Sequence, residues 1–120
     1  MVGTNDLANS AKFYNAIFLP LSLKLVLTTD RYIGYAQKKN LKEIKFYITK
    51  PVNKKLATYG NGTQISFLVD KKIIVDEFHL LGLKNGGTNE GSPGIRSGNY
   101  YAYIRDLDGN KICVYCELDR

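Results

Sequence analysis

A chain of 120 residues, 44% of them hydrophobic, suits one compact domain with its own core and excludes a second. No run approaches the roughly 18 consecutive apolar residues of a membrane span, and the opening MVGTNDLANS lacks the basic and apolar regions of a secretory leader, so a cytoplasmic protein without membrane contact is expected. The formal charge of +6 favours an anionic partner, but the lysines fall in scattered pairs such as Lys38-Lys39, Lys54-Lys55 and Lys71-Lys72, which argues against nucleic acid and leaves surface solubility or a small anion.

Asn5-Asp6 ahead of LANSAKFYNAIF predicts a helix capped by the Asp carboxylate, with Leu7, Ala11, Tyr14 and Phe18 as its apolar stripe, Phe13 and Ile17 beside it, and Pro20 marking its end. Residues 23–28, 32–37 and 43–49 then read as three strands, followed by a loop over 51–62 that closes with Gly60-Asn61-Gly62. A second cycle follows. Residues 63–69 alternate, with Ile65, Phe67 and Val69 on one face and Gln64, Ser66 and Leu68 on the other. Asp70 ends that strand as the acidic cap of a second helix, whose stripe is Ile74, Phe78 and Leu81 and whose stop is Asn85-Gly86-Gly87. Residues 90–96 read as a loop, because Gly91, Pro93 and Gly94 punctuate them.

The strongest local signal is the hairpin over residues 100–116, YYAYIRDLDGNKICVYC, where Asp-Gly sits between two alternating runs. Its pleat sends Ile112, Val114 and Cys116 one way and Cys113, Tyr115 and Glu117 the other. The same alternation weakens the Cys-x-x-Cys reading of Cys113 and Cys116, since residues three apart on a strand face opposite sides and do not easily converge on one metal, while redox pairs of this spacing sit at a helix start. Two cysteines also make no disulfide framework.

Asp6 and Asp70, Phe13 and Phe78, and residues 32–37 and 100–105 correspond at an offset of roughly 64 to 68 residues. The expected fold class is α+β: two tandem βαβββ modules, about 1–51 and 63–120, in a single domain over 1–120.

Gly3-Thr4-Asn5-Asp6-Leu7 with Phe13-Tyr14, Gly60-Asn61-Gly62-Thr63, Val75-Asp76 with Phe78-His79, Gly86-Gly87-Thr88, residues 90–96 and residues 106–112 span nearly the whole chain. In that order they resemble the glyoxalase, bleomycin-resistance and dioxygenase superfamily, the vicinal oxygen chelate proteins, and within it the small bacterial glyoxalase-like branch. The resemblance implies an eight-stranded mixed sheet curled into a cup, with helices on the outer face. It also implies a divalent metal in the cup, a lyase, isomerase or dioxygenase activity, and a homodimer.

The metal positions are where the chain departs from that pattern. A His before the glycine matching Gly3 has no counterpart after Met1, unless an upstream start carries it. Gln64 stands where a second His follows Gly-Thr, and Cys113 where a Glu follows the last turn. The matching strand of the first module offers Lys45 and Tyr47, neither a usual ligand of such an ion. The sequence therefore assigns no metal ligand, no cofactor and no catalytic residue.

What the cup face is expected to carry is Lys45, Tyr47, Gln64, Ser66, Tyr101, Tyr103, Cys113 and Tyr115, with Arg96 at the rim. Tyrosines there give flat area and hydroxyls, and Lys45 and Arg96 favour a carboxylate or phosphate. Each has a plainer role beside this one: cross-strand packing for the tyrosines, solvation for Lys45, inert burial for Cys113, and bonding to its own loop's carbonyls for Arg96. His79, the single histidine, is placed on the second helix away from the cup, in a packing role. The favoured expectation is a metal-free protein that binds an anionic or aromatic small molecule. The alternative is a metal-dependent enzyme of the glyoxalase type.

Overall fold

The computed structural model describes residues 1–118. Chain order is β1 (Val2–Gly3), α1 (Leu7–Ile17), β2 (Leu23–Thr28), β3 (Tyr32–Gln37), β4 (Ile44–Thr49), β5 (Ile65–Val69), α2 (Lys72–Lys84), β6 (Thr88–Arg96), β7 (Asn99–Arg105) and β8 (Lys111–Cys116). This is the βαβββ unit used twice. The strands form two four-stranded mixed sheets, β1-β4-β3-β2 and β5-β8-β7-β6, with parallel pairing at β1–β4 and β5–β8. β1 contributes just two residues, paired to Ile48 and Thr49 of β4. The eight strands thus pair as two four-stranded ladders, one from each module.

Local chemistry accounts for most boundaries. The Asp6 carboxylate accepts from the Asn9 amide at 3.1 Å and caps α1. α2 starts differently from the expectation: its cap residue is Lys71, with no side-chain bond, and Asp70 lies one residue too early to reach the free amides. A second correction concerns residues 90–96, which belong to the nine-residue strand β6 rather than to a loop. Gly91, Pro93 and Gly94 fit because β6 is an edge strand whose register slips twice, between Asn89 and Gly91 and between Gly91 and Gly94, so the missing Pro93 amide breaks no ladder.

One face of each sheet is covered by the helices. Phe13, Tyr14, Ile17 and Phe18 pack on Tyr35, Phe46 and Ile48, while Val75 and Phe78 meet Ala102, Ile104, Ile112 and Val114. Phe67 of the second module inserts among first-module rings, 5.4 Å from Phe18 and 5.6 Å from Phe46, so the apolar cores of the modules are continuous. Each such ring contributes about 1.5 to 3 kcal/mol by burial.

Polar bonds fasten the β7–β8 turn to the first module. The Tyr14 hydroxyl donates to Asp106 Oδ2 at 2.6 Å, Asn110 Nδ2 donates to the Gly3 carbonyl at 2.9 Å, and the Asn5 amide donates to Asp108 Oδ1 at 2.8 Å. The molecule measures 23 Å along its shortest axis, the thickness of one helix layer on one sheet layer. The far face of each sheet is thus open, and that is where the candidate site lies.

Candidate ligand-binding face

The pleat of β8 puts Ile112, Val114 and Cys116 in the core and leaves Lys111, Cys113 and Tyr115 on the open side. Register then builds two rows across the sheet. One runs Ser66, Cys113, Tyr103, Gly91; the next runs Leu68, Tyr115, Tyr101, Gly94. The three tyrosine rings form a ladder: Tyr101 and Tyr103 are 5.9 Å apart and 1° from parallel, and Tyr101 and Tyr115 are 5.1 Å apart at 13°. Rings held flat to one another present edges and hydroxyls in a fixed order, and offset stacking of this kind contributes roughly 0.5 to 1.5 kcal/mol per pair.

Two cations reach Tyr103. Arg96 Cζ lies 5.3 Å and Lys111 Nζ 5.1 Å from its centroid. The Arg96 guanidinium is committed to backbone: Nη1 donates to the carbonyls of Tyr101 at 2.8 Å and Gly94 at 3.4 Å, and Nη2 to that of Ser92 at 2.7 Å. Its role is to pin the bulged edge of β6 beneath the ring. Gly91 makes this possible, because a Cβ there would stand 2.7 Å from Tyr103 Cδ2 and 3.2 Å from Arg96 Nη2.

Gln64 Nε2 donates to Ser66 Oγ at 2.9 Å, which orients the hydroxyl next to Cys113. Burial pushes the Cys113 thiol above its ordinary value, and Ser66, Lys111, Tyr103 and Arg96 pull it back only in part. Tyr103 is likewise raised, first by burial and then by Cys113, with Arg96 opposing. At neutral pH the buried thiol and the phenol beside it are therefore held in their neutral forms. The face offers stacked aromatic rings, neutral hydrogen-bonding groups and the Lys111 ammonium.

The residues singled out from the sequence divide between the sheets. Gln64, Ser66, Arg96, Tyr101, Tyr103, Cys113 and Tyr115 share the second sheet. Lys45 and Tyr47 stand on the first. Lys45 pairs with Glu43 at 2.8 Å and lines, with Ser66, a groove of about 480 Å³ where the two sheets approach. Tyr47 packs edge-on against Tyr32 at 5.8 Å, over Gly34. His79 is buried, with Nε2 2.9 Å from Asn89 Oδ1. Sequence reasoning passed over Lys111 and Gly91. Lys111 has the parity of Cys113 and Tyr115 and could have been read from it; Gly91 was masked by the loop reading of β6.

The donor set around Gln64 and Cys113 does not suit the divalent ion of metal-binding relatives. A neutral amide and a raised thiol are poor substitutes for imidazole and carboxylate, and among the described residues no three His, Cys, Asp or Glu side chains form a group that could hold a metal.

No protein-family model matches the chain, and no functionally curated protein does. Solved structures do. A glyoxalase/bleomycin resistance protein from Albidiferax ferrireducens is similar at 39% identity and a TM-score of 0.87, covering 98% of this chain and 95% of that one. A glyoxalase/bleomycin resistance protein/dioxygenase family enzyme from Burkholderia phytofirmans has 18% identity and a TM-score of 0.75 over 98% and 94% of the two chains. A lactoylglutathione lyase from Agrobacterium tumefaciens has 20% identity and a TM-score of 0.68 over 96% and 88%. Fold and face together define a tandem βαβββ protein with an open, aromatic second sheet. The chain belongs to the glyoxalase/bleomycin resistance/dioxygenase superfamily, the vicinal oxygen chelate proteins. Among the described residues, no helix is long and apolar enough to cross a membrane.

Proposed function

We propose that this protein binds a planar small molecule, aromatic and anionic, on the open face of its second sheet, and that it does so without the divalent metal used elsewhere in its superfamily. The observation that carries the reading is the ladder of Tyr101, Tyr103 and Tyr115 with Lys111 beside it. A flat ligand laid against the ring edges meets their hydroxyls at low entropic cost, and the ammonium selects a carboxylate. The metal-free part rests on donor chemistry at Gln64 and Cys113. Fold membership alone assigns no reaction, since chemistry resides in the site.

Two measurements test this. Elemental analysis of the purified protein should find well under one transition metal per chain; a stoichiometric, tightly held metal overturns the metal-free reading in favour of glyoxalase-type chemistry. With 2-naphthoate as probe, the midpoint of thermal unfolding should rise independently of added metal, and Tyr103→Ala and Arg96→Ala should each reduce that rise. Equal shifts in wild type and both variants would remove the case for this face. The homodimer belongs to the same proposal, as β1 leaves much of its neighbourhood unpaired along the sheet edge. Light scattering is expected to give twice the 13.5 kDa chain mass, and a monomer across working concentrations would refute it.

A further inference from the structure

A second concavity, away from the tyrosine ladder, opens at the end of the first sheet where β1 and β4 finish. Its volume is about 750 Å³, and its walls are Thr4-Asn5, the β2–β3 turn at Asp30-Arg31, and the loop from Lys50 to Leu56. A space of that size accommodates an organic ligand of ordinary dimensions.

The lining has two chemistries at once. Arg31, Lys50, Lys54 and Lys55 supply four positive charges against the single carboxylate of Asp30. Among the described residues none of the four lies within 4.0 Å of a carboxylate; the ion pairs there are Lys45 with Glu43 and Arg105 with Glu90. Arg31 is oriented, lying 5.0 Å over the Tyr32 ring with Nη1 3.4 Å from Thr49 Oγ1. Between the cations, Val52 and Leu56 are 78% and 82% exposed, large apolar side chains that contribute little to the core.

The loop that displays them is fastened at both ends. The Lys50 amide donates to the Arg31 carbonyl at 2.8 Å, and the Asn5 side chain grips Ala57 on both sides, accepting from its amide at 2.7 Å and donating to its carbonyl at 3.3 Å. Between these anchors Lys54 adopts φ of 63°, a left-handed conformation that suits glycine better than lysine. The chain thus holds a strained lysine and two exposed apolar residues in one fixed concavity.

We propose that this groove binds a small amphipathic anion, an aliphatic carboxylate whose head meets the Arg31, Lys50, Lys54 and Lys55 cluster and whose tail covers Val52 and Leu56. Charge complementarity selects the anionic head, since the cluster lacks carboxylate partners of its own. The exposed apolar pair selects a tail, because a bare inorganic anion leaves it wet and a neutral lipid leaves the cations unpaired. The site is independent of the tyrosine face, so either reading can fail without the other.

The test uses the full chain, labelled with nitrogen-15, and decanoate below its micelle concentration. Amide shifts should concentrate at residues 28–31 and 49–57. Lys54→Gly keeps the left-handed turn while removing its charge, and Lys50→Gln removes a second; each should weaken decanoate about tenfold, the loss of one charge-assisted contact. Tyr103→Ala should leave it unchanged. Four results overturn the proposal. One is the absence of shifts in the groove; another is an equal response to inorganic phosphate, which would mark a charge sink only. The others are an equal response to 1-decanol, which would mark an apolar patch only, and co-sedimentation with phosphatidylglycerol vesicles in the absence of decanoate binding, which would mark a membrane-facing surface.

Discussion

Replacing Tyr14 by Phe isolates the bond that joins the two modules. The Tyr14 ring is wholly buried, 5.3, 5.2 and 5.2 Å from Phe13, Phe18 and Phe46, and Phe keeps all of those contacts. What it removes is the 2.6 Å donation to Asp106 Oδ2. Hydrogen bonds to charged groups contribute about 1.5 to 3 kcal/mol net. Asp106 keeps three other donors, the amides of Asp108 and Asn110 and Asn110 Nδ2, so it is not stranded and the loss stays inside that range. With an unfolding entropy of roughly 2.1 cal/mol/K per residue, 120 residues give about 0.25 kcal/mol/K, and the melting midpoint should fall by about 6 to 12 °C. Differential scanning calorimetry and urea titration at neutral pH measure both quantities. A double-mutant cycle with Asp106→Asn assigns the loss to the pair, with an expected coupling of at least about 1 kcal/mol. A Tyr14→Phe midpoint within about 2 °C of wild type, or strictly additive losses in the cycle, would show that the packing of Phe67 rather than this bond unites the modules.

Gly87→Ala should destabilise the fold by about 1 to 3 kcal/mol, because its Cβ would meet the backbone oxygens of Arg105 and Gly82 at 2.8 and 2.9 Å, atoms that cannot rotate away; a urea midpoint equal to wild type would contradict the close packing at the end of α2. Cys113 and Cys116 are buried with thiols raised above the ordinary range, so both should react with a disulfide reagent at pH 7 roughly tenfold or more slowly than free cysteine until the chain unfolds, and prompt release of two equivalents would refute the neutral-thiol assignment. Burial raises the Asp106 carboxyl above its ordinary value of 3.8, against the bonds from Tyr14, Asn110 and Asp108. The folded state then binds that proton more tightly than the unfolded chain, so the contribution is complete below the ordinary value and is lost as pH rises through the raised one. Wild-type stability relative to Asp106→Asn should decline across that window on going up in pH; a relative gain would reverse the sign of the argument.

The sequence carried the fold because its local signals were redundant. Asp6 caps α1 as its position before an apolar stripe requires, and the parity of β8 placed Ile112, Val114 and Cys116 inward as the core needs. Two elements misread for physical reasons. In β6, glycine and proline mark an irregular edge strand as readily as a loop, and only pairing with β7 separates the two. At α2 the acidic residue sits one position before the cap, a displacement that propensity cannot resolve. Parity also reached the second-sheet face, since Ser66, Cys113 and Tyr103 are direct cross-strand neighbours. It left open whether Arg96 faces the rim or bonds to nearby carbonyls, and the bonds made go to Ser92 and Gly94 of β6 and Tyr101 of β7; Lys111 was legible from the same parity, whereas the close approach of Gly91 to Tyr103 was not. The groove beside Lys50 was less visible still, because its walls come from three segments far apart in the chain.

The β7–β8 turn ties these features together, and its composition exceeds what a hairpin needs. An Asn-Gly pair would reverse the chain equally well. Here Gly109 supplies a φ of 87°, while Asp106 Oδ1 accepts from the Asp108 and Asn110 amides and so closes the turn on itself. That leaves Asp106 Oδ2, Asp108 Oδ1 and Asn110 Nδ2 to engage Tyr14, Asn5 and Gly3 of the first module. The strands leaving this turn carry Tyr101, Tyr103, Cys113 and Tyr115, so the residues that reverse the chain also fix how the aromatic face sits against the first sheet. Asn5 extends the connection, since its amide meets Asp108 while its side chain holds Ala57 at the end of the cationic loop. Both candidate binding surfaces are therefore anchored to the same junction, the turn for one and Asn5 for the other. The hydrogen bonds of that junction hold the turn and the Asn5 segment in place, and with them the side chains that each surface displays.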